Sequence, residues 1–261
     1  MRPALLLALA LAGLGTATLL PSAAAVITQG GNVRVAVDGA LTPHALPREG
    51  AAPVAVSVSG HVSTSDGSAP PQLRKLTIEI NRHGRFETAG LPLCPAAAIR
   101  TASNSRALAV CGPAQVGQGK FAGTITLPGS APYAISGRLL LFNGSEAGHP
   151  VLLAHVFSPL PFATSFLFAF QIATKARGTY GTVLTANLGT ALGSERNLTS
   201  IEMTLQRRYT SGGKPRSYLS AGCPAPKGFP GAVFPLARTN FTFAEGRKLT
   251  STLTRNCAVR E

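Results

Sequence analysis

The chain has 261 residues, 45% of them hydrophobic and 13% charged, with 24 Lys/Arg against 10 Asp/Glu and no Trp. That length holds one substantial hydrophobic core and is short for two independent domains. The formal charge of +14 is scattered as single residues and as the pairs Arg74-Lys75, Arg207-Arg208 and Arg247-Lys248. No basic run interleaves with aromatics, which weighs against nucleic acid as a partner, and the missing Trp weakens a carbohydrate-stacking platform.

The first 25 residues carry one Arg, an apolar run from Ala4 to Leu20, the breaker Pro21 and the small residues Ala23-Ala24-Ala25 before Val26. This is the pattern of a secretory signal peptide with cleavage ahead of Val26, and the run is short for a membrane span. No cysteine stands at the expected mature N-terminus, so lipid attachment there is not expected. Residues 26–261 are expected to form a single exported domain, placed outside the cell or in its envelope.

From there the pattern is that of strands. Asn32–Asp38 alternates Val33, Val35 and Val37 with Arg34 and Ala36; Pro53–Thr64 alternates Val54, Val56 and Val58; Leu73–Asn81 sets Leu76, Ile78 and Ile80 on one face. Pro95–Val110 departs from this: Ala-rich, with a proline directly after Cys94, it reads as one or two helical turns. Gly123–Leu127 and Ser136–Phe142 resume the strands.

Val151–Ala173 is apolar enough to suggest a transmembrane helix, but Pro159 and Pro161 interrupt its middle. Phe162, Phe166, Phe168, Phe170 and Ile172 also recur with period two, so two buried strands joined by a proline turn are expected. Tyr180–Asn187, Thr199–Arg207, Ser217–Ala221, Asn240–Phe243 and Leu249–Arg255 complete the series. About a dozen strands with turns between them predict an all-β fold, an antiparallel two-sheet sandwich with a short helical excursion near residues 95–110.

All four cysteines, Cys94, Cys111, Cys223 and Cys257, fall in the exported part. An even count in an exported chain reads as disulfides; no C-x-x-C couple or zinc-spaced Cys/His cluster is present. Three pairings are open to four cysteines. The neighbour pairing 94–111 and 223–257 is favoured, closing loops that would stabilise by roughly 3 and 4 kcal/mol. Leu76–Pro95 and Ile201–Pro224 share a strand, turn, strand and Cys-Pro order. Two ordinary hairpins account for this, with an internal duplication as the alternative.

The segments Leu41–Leu73, GLPLC, CGPAQVGQG, RLLLFNG, GTYGT and SYLSAGCP stand in that order across nearly the whole mature chain. In this the sequence resembles a family of uncharacterised exported β-rich proteins common in GC-rich actinobacteria. The resemblance implies export and paired cysteines. It implies no catalytic residue, because no activity is assigned to that family.

No nucleophile elbow, H-E-x-x-H pair, phosphate loop, EF-hand or dinucleotide fingerprint occurs, and no cofactor or metal is expected. His61, Ser63, Ser65 and Asp66 are the nearest approach to a Ser-His-Asp set, but their local pattern is an Asp-Gly turn at a strand end. Glu79 and Glu87 read as solvated strand positions rather than a glycosidase pair. The sequons at Asn143, Asn197 and Asn240 read as chance.

The function expected is that of an exported, non-catalytic binding or structural protein. The positive charge suits an anionic envelope polymer or lipid surface, or serves solubility alone. The alternative is a carrier enclosing an apolar small molecule or lipid in a barrel-like β-fold, suggested by the phenylalanine face. A hydrolase, built if His61 or His155 met a serine and a carboxylate, comes third.

Overall fold

A computed structural model describes residues 25–192 and 196–260 of the chain. The expected signal peptide falls outside them except for Ala25. Strands make up 63% and helices 9%, so the all-β expectation holds with a small helical excursion.

In chain order the strands are β1 (Val26–Gly30), β2 (Val33–Thr42), β3 (Ala45–Pro47), β4 (Ala52–Pro53), β5 (Ala55–Thr64), β6 (Leu73–Asn81), β7 (Gly84–Phe86) and β8 (Cys94–Pro95). Helices α1 (Ala96–Ile99) and α2 (Asn104–Cys111) follow, then β9 (Gln115–Ile125), β10 (Tyr133–Glu146), β11 (His149–Ser158), β12 (Thr164–Thr174) and β13 (Tyr180–Asn187). Helix α3 (Leu188–Leu192) leads to β14 (Arg196–Leu205), β15 (Arg208–Ser211), β16 (Lys214–Ser217), β17 (Leu219–Ala221), β18 (Gly231–Phe243) and β19 (Lys248–Arg260).

One hydrogen-bonded path runs β1-β2-β5-β14-β9-β10-β11-β12-β13-β6-β18-β19-β3. Its neighbours are antiparallel except β3 on β19; β8 also adds to β10 in parallel, so the sheet is mixed. The sheet curls until its first strands face β19. There Arg247 Nη1 reaches Asn32 Oδ1 at 2.9 Å, and Arg255 Nε donates to the Gly39 carbonyl at 2.6 Å.

Glycine permits the tightest part of this curvature. A Cβ on Gly119 in β9 would lie 1.9 Å from the Glu202 carbonyl oxygen of β14, and one on Gly137 in β10 would lie 2.1 Å from that of Phe157. No side chain fits at either place, so the neighbouring backbones close in on one another.

The period-two residues of each strand point inside the curl. Val33, Val35, Leu76, Phe121, Leu139, Leu141, Phe166 and Phe168 join one large core. Strands β10 to β12 are also covered outside. There Leu140, Phe142, Leu153 and Leu167 pack beneath α1 and α2 with Ile99, Ala107 and the cystine of Cys94 and Cys111. Burial on both faces explains the unbroken apolar runs of β10 and β11, as it does in covered sheets. The segment Val151–Ala173 is two strands with a proline turn, as expected. Phe162 is an exception to its phenylalanine face: it lies before β12 and is 41% exposed. Among the described residues no helix is long and apolar enough to cross a membrane.

Helix α2 begins where Ser103 Oγ accepts from the Arg106 amide at 3.3 Å, satisfying one of the free first-turn donors. Beyond Cys111 the chain tightens into a 3-10 turn over Gly112–Ala114 and enters β9.

Candidate functional site

The two ends of the curl are closed differently. At one, α3 and the aromatic side chains of Phe121, Phe166, Phe241 and Phe243 fill the interior. At the other, β4, β17 and β7 form a separate three-stranded sheet across the opening. Its ladders are short: β17 pairs at three positions with β7 and at two with β4. Phe86 of the cap stands edge-on to the buried Tyr218, ring centroids 5.4 Å apart. Cys223, just past β17, is bonded to Cys257 of β19, pinning one side of the cap to the wall.

Beneath this cap lies a cavity of about 140 Å³. Val37 and Leu41 of β2, Val56 of β5, Leu141 of β10, Leu184 of β13 and Leu253 of β19 border it, so strands from the whole circuit contribute. Leu219 and Ala221 form part of its roof, and His83 and Arg85 sit at the cap side. His83 directly precedes the short β7 and Arg85 is its central residue. Asn81 Oδ1 accepts from the His83 amide at 3.0 Å, which fixes the turn into that strand.

The cavity has an energetic consequence. Protein interiors seldom keep voids larger than a water molecule. At about 24 cal/mol per Å³, an empty apolar space of this size costs on the order of 3 kcal/mol. It compares with engineered apolar cavities of about 150 Å³, which stay dry and accept a benzene-sized guest.

The His61 cluster does not converge. Asp66 accepts from the Ser68 hydroxyl at 2.6 Å, the Ser68 amide at 3.0 Å and Asn32 Nδ2 at 3.0 Å. These bonds hold its carboxyl well below the usual range and make the Asp-Gly turn expected from the sequence. His61 is exposed on β5, opposite Ala36 and Ser200, and Ser63 stands opposite Arg34. His155 is wholly buried between β11 and the helical excursion. Its Nε2 is 3.0 Å from the Ala102 carbonyl, so that nitrogen carries the proton, while Nδ1 has no partner among the described residues. Burial pushes the imidazole below its ordinary range.

Glu79 is a correction. It is 5% exposed rather than solvated, on the outer face of β6 under Lys175 Nζ at 2.7 Å and Arg238 Nε at 2.6 Å. The Arg238 guanidinium, more than the lysine, overcomes burial and holds this carboxyl at about 2. Glu87 is half-buried near the cap, accepting from the Ser220 hydroxyl at 3.1 Å and facing Arg216 at 3.6 Å. Each carboxylate is bound to its own partners, so the two do not act as a pair.

The three sequon asparagines are each held by a hydrogen bond: Asn143 donates to the Pro92 carbonyl at 3.1 Å, Asn197 to that of Pro70 at 2.7 Å, and Asn240 to Glu79 at 3.4 Å. Among the described residues no cluster of His, Cys, Asp and Glu is suited to a metal ion. The disulfides are those favoured from the sequence, Cys94–Cys111 and Cys223–Cys257. Sequence reasoning placed a strand at Ser217–Ala221 and another after the His83-Gly84 turn, but missed that β17 and β7 join β4 in a separate cap. Its strands are two or three residues long and carry no periodicity; the signals for it are the turn at His83-Gly84 and the Cys223-Pro224 step after β17. No family model, curated protein or solved structure matches the chain.

Proposed function

We propose that this is an exported, non-catalytic carrier that holds an apolar small molecule or acyl segment inside its curled sheet. The observation that carries the reading is the cavity beneath the cap, walled by aliphatic side chains from strands around the whole circuit. The curl itself reads as a barrel-like shell rather than the two-sheet sandwich suggested by strand count. Its ladder is continuous, and its first strands reach β19 through Arg247 and Arg255.

Export is supported by the leader pattern and the two disulfides, which persist in oxidising compartments. Arg82 precedes β7 of the cap, and Arg207, Arg208, Lys214 and Arg216 lie on or beside the β15–β16 hairpin that leads into β17. The positive charge of the chain suits an anionic envelope polymer or lipid surface from which a ligand is collected or to which it is delivered.

The test is native mass spectrometry of the protein purified from culture supernatant, with organic extraction of the same sample. A co-purifying apolar compound that is lost in Leu184→Trp, which fills the cavity, is the expected result. If the protein carries nothing, and neither octanol nor octanoate binds to it, the carrier reading fails.

A further inference from the structure

At the α3 end of the curl, two neighbouring hairpins close in loops that carry no charge. Residues 126–132 join β9 to β10, residues 159–163 join β11 to β12, and β10 lies beside β11 in the sheet. Pro159, Leu160, Pro161, Phe162 and Ala163 are all apolar, and all five are exposed. Leu160 is 71% exposed and Phe162 41%; Tyr133, where the other loop enters β10, is also 41% exposed. Neither loop is slack. The Ser130 amide donates to the Leu127 carbonyl at 3.0 Å around Pro128 and Gly129, whose φ of 73° suits a type II turn. The Ser158 hydroxyl donates to the Leu160 carbonyl at 2.7 Å. Large apolar side chains held out into solvent by braced loops mark an interaction surface.

The charge around them is one-sided. From β8 to β12 the chain carries Arg100, Arg106, Lys120 and Arg138 against Glu146 alone. Glu146 lies at the far end of β10, where it accepts from Gln171 Nε2 at 2.6 Å. Arg100 is beside the apolar loop, since its main-chain carbonyl accepts from the Ser165 hydroxyl at 3.0 Å. A stable protein interface takes about 20–30 residues a side, more than these two short loops offer. A bilayer needs only a few inserted apolar side chains with positive charge nearby.

Resting on the lipid-surface part of the reading above and not on the cavity, we infer that these two loops dock the protein on an anionic bilayer. Leu160 and Phe162 enter the boundary of the acyl chains, and Tyr133 sits at headgroup depth with its hydroxyl in water. Arg100 and its basic neighbours supply the longer-range attraction, which needs no defined side-chain contact.

The chain has no Trp, so Leu160→Trp gives the exported protein a single indole emitter. Its emission should shift to the blue with vesicles of phosphatidylcholine and phosphatidylglycerol in equal parts, and less with phosphatidylcholine alone. Ile27→Trp, at a residue 69% exposed on β1, should not shift with either. Leu160→Ser with Phe162→Ser should weaken co-sedimentation with the mixed vesicles about tenfold or more, with the thermal midpoint unchanged. Arg100→Gln with Arg106→Gln should weaken it about fivefold or more. Several results overturn the docking surface: no vesicle binding, binding undiminished in the serine variant, or equal affinity for the two compositions. A concentration-dependent dimer that the serine variant abolishes, in place of vesicle binding, overturns it as well. Octanol binding by the same preparations reports on the carrier reading separately, because the loops lie at the end away from the cap.

Discussion

Arg255 donates from Nε to the main-chain carbonyl of Gly39 at 2.6 Å and also pairs with the Asp38 carboxylate, joining β19 to β2 where no backbone ladder does. Its side chain is 9% exposed while that of Asp38 remains 42% exposed, so the pair is anchored on the arginine side. Removing a partner from such a contact strands a buried polar group.

Arg255→Leu should therefore lower stability by about 2–4 kcal/mol, and urea unfolding should show an earlier midpoint. Asp38→Asn should cost less, about 1 kcal/mol, because its carboxylate is already partly in water. Equal effects would mean that the contact is a surface ion pair and not the seam of the sheet.

Glu79 gives a pH dependence with a definite sign. Its carboxyl is held at about 2 in the fold, against an ordinary value near 4.5. The stabilisation is complete above the unfolded value and is lost as pH falls from there toward 2. Glu79→Gln should be less stable than the parent at pH 7 by about 1–3 kcal/mol, and the gap should close on acidification. Thermal unfolding of both proteins between pH 7 and about pH 2.5 checks this.

His155 predicts an acid sensitivity in a different window. Burial lowers its folded value below 6.5, so the unfolded chain binds the extra proton first. Stability should fall as pH drops through the ordinary histidine range toward the folded value, because the unfolded state then holds more protons. His155→Gln should flatten that part of the stability profile. Hydrogen exchange should show the loss first in residues 96–114, which lie over the ring. A profile unchanged by the substitution would remove His155 as the cause.

The Cys94–Cys111 bond spans the helices that cover the outer face of β10 to β12. Cys94→Ser with Cys111→Ser should cost about 2–5 kcal/mol and expose this segment before the rest of the shell. Binding of octanol in the interior should persist, since α1 and α2 contribute nothing to the cavity border. The measurement is peptide-level hydrogen exchange alongside calorimetry.

The parts legible in the sequence were those whose burial is set locally. Val33, Val35 and Val37 alternate because one face of β2 is wet, and the composition after Cys94 marked α1 and α2. Strand β18 is expected from the sequence only over Asn240–Phe243; its earlier part, from Gly231 to Thr239, contains a glycine and Pro235, which look like turn residues. The structure absorbs them in a register shift between Pro235 and Ala237. Glu79 could not be recognised as buried, because Lys175 and Arg238 that cover it come from distant parts of the chain. The cavity was illegible for a related reason. Its walls are ordinary core residues in the sequence, and only the curl, set by close backbone approach at Gly119 and Gly137, leaves space between them.

The Cys223–Cys257 bond fastens β17 to the wall, β4 runs into β5 after Val54 alone, and Arg82-His83 join β7 to β6. The roof is thereby tied to the wall at three places, and only its short ladders can part without breaking the chain. Strands tethered in this way pair again as a unimolecular event, independent of protein concentration. On the carrier reading, a guest is exchanged without the shell itself coming apart.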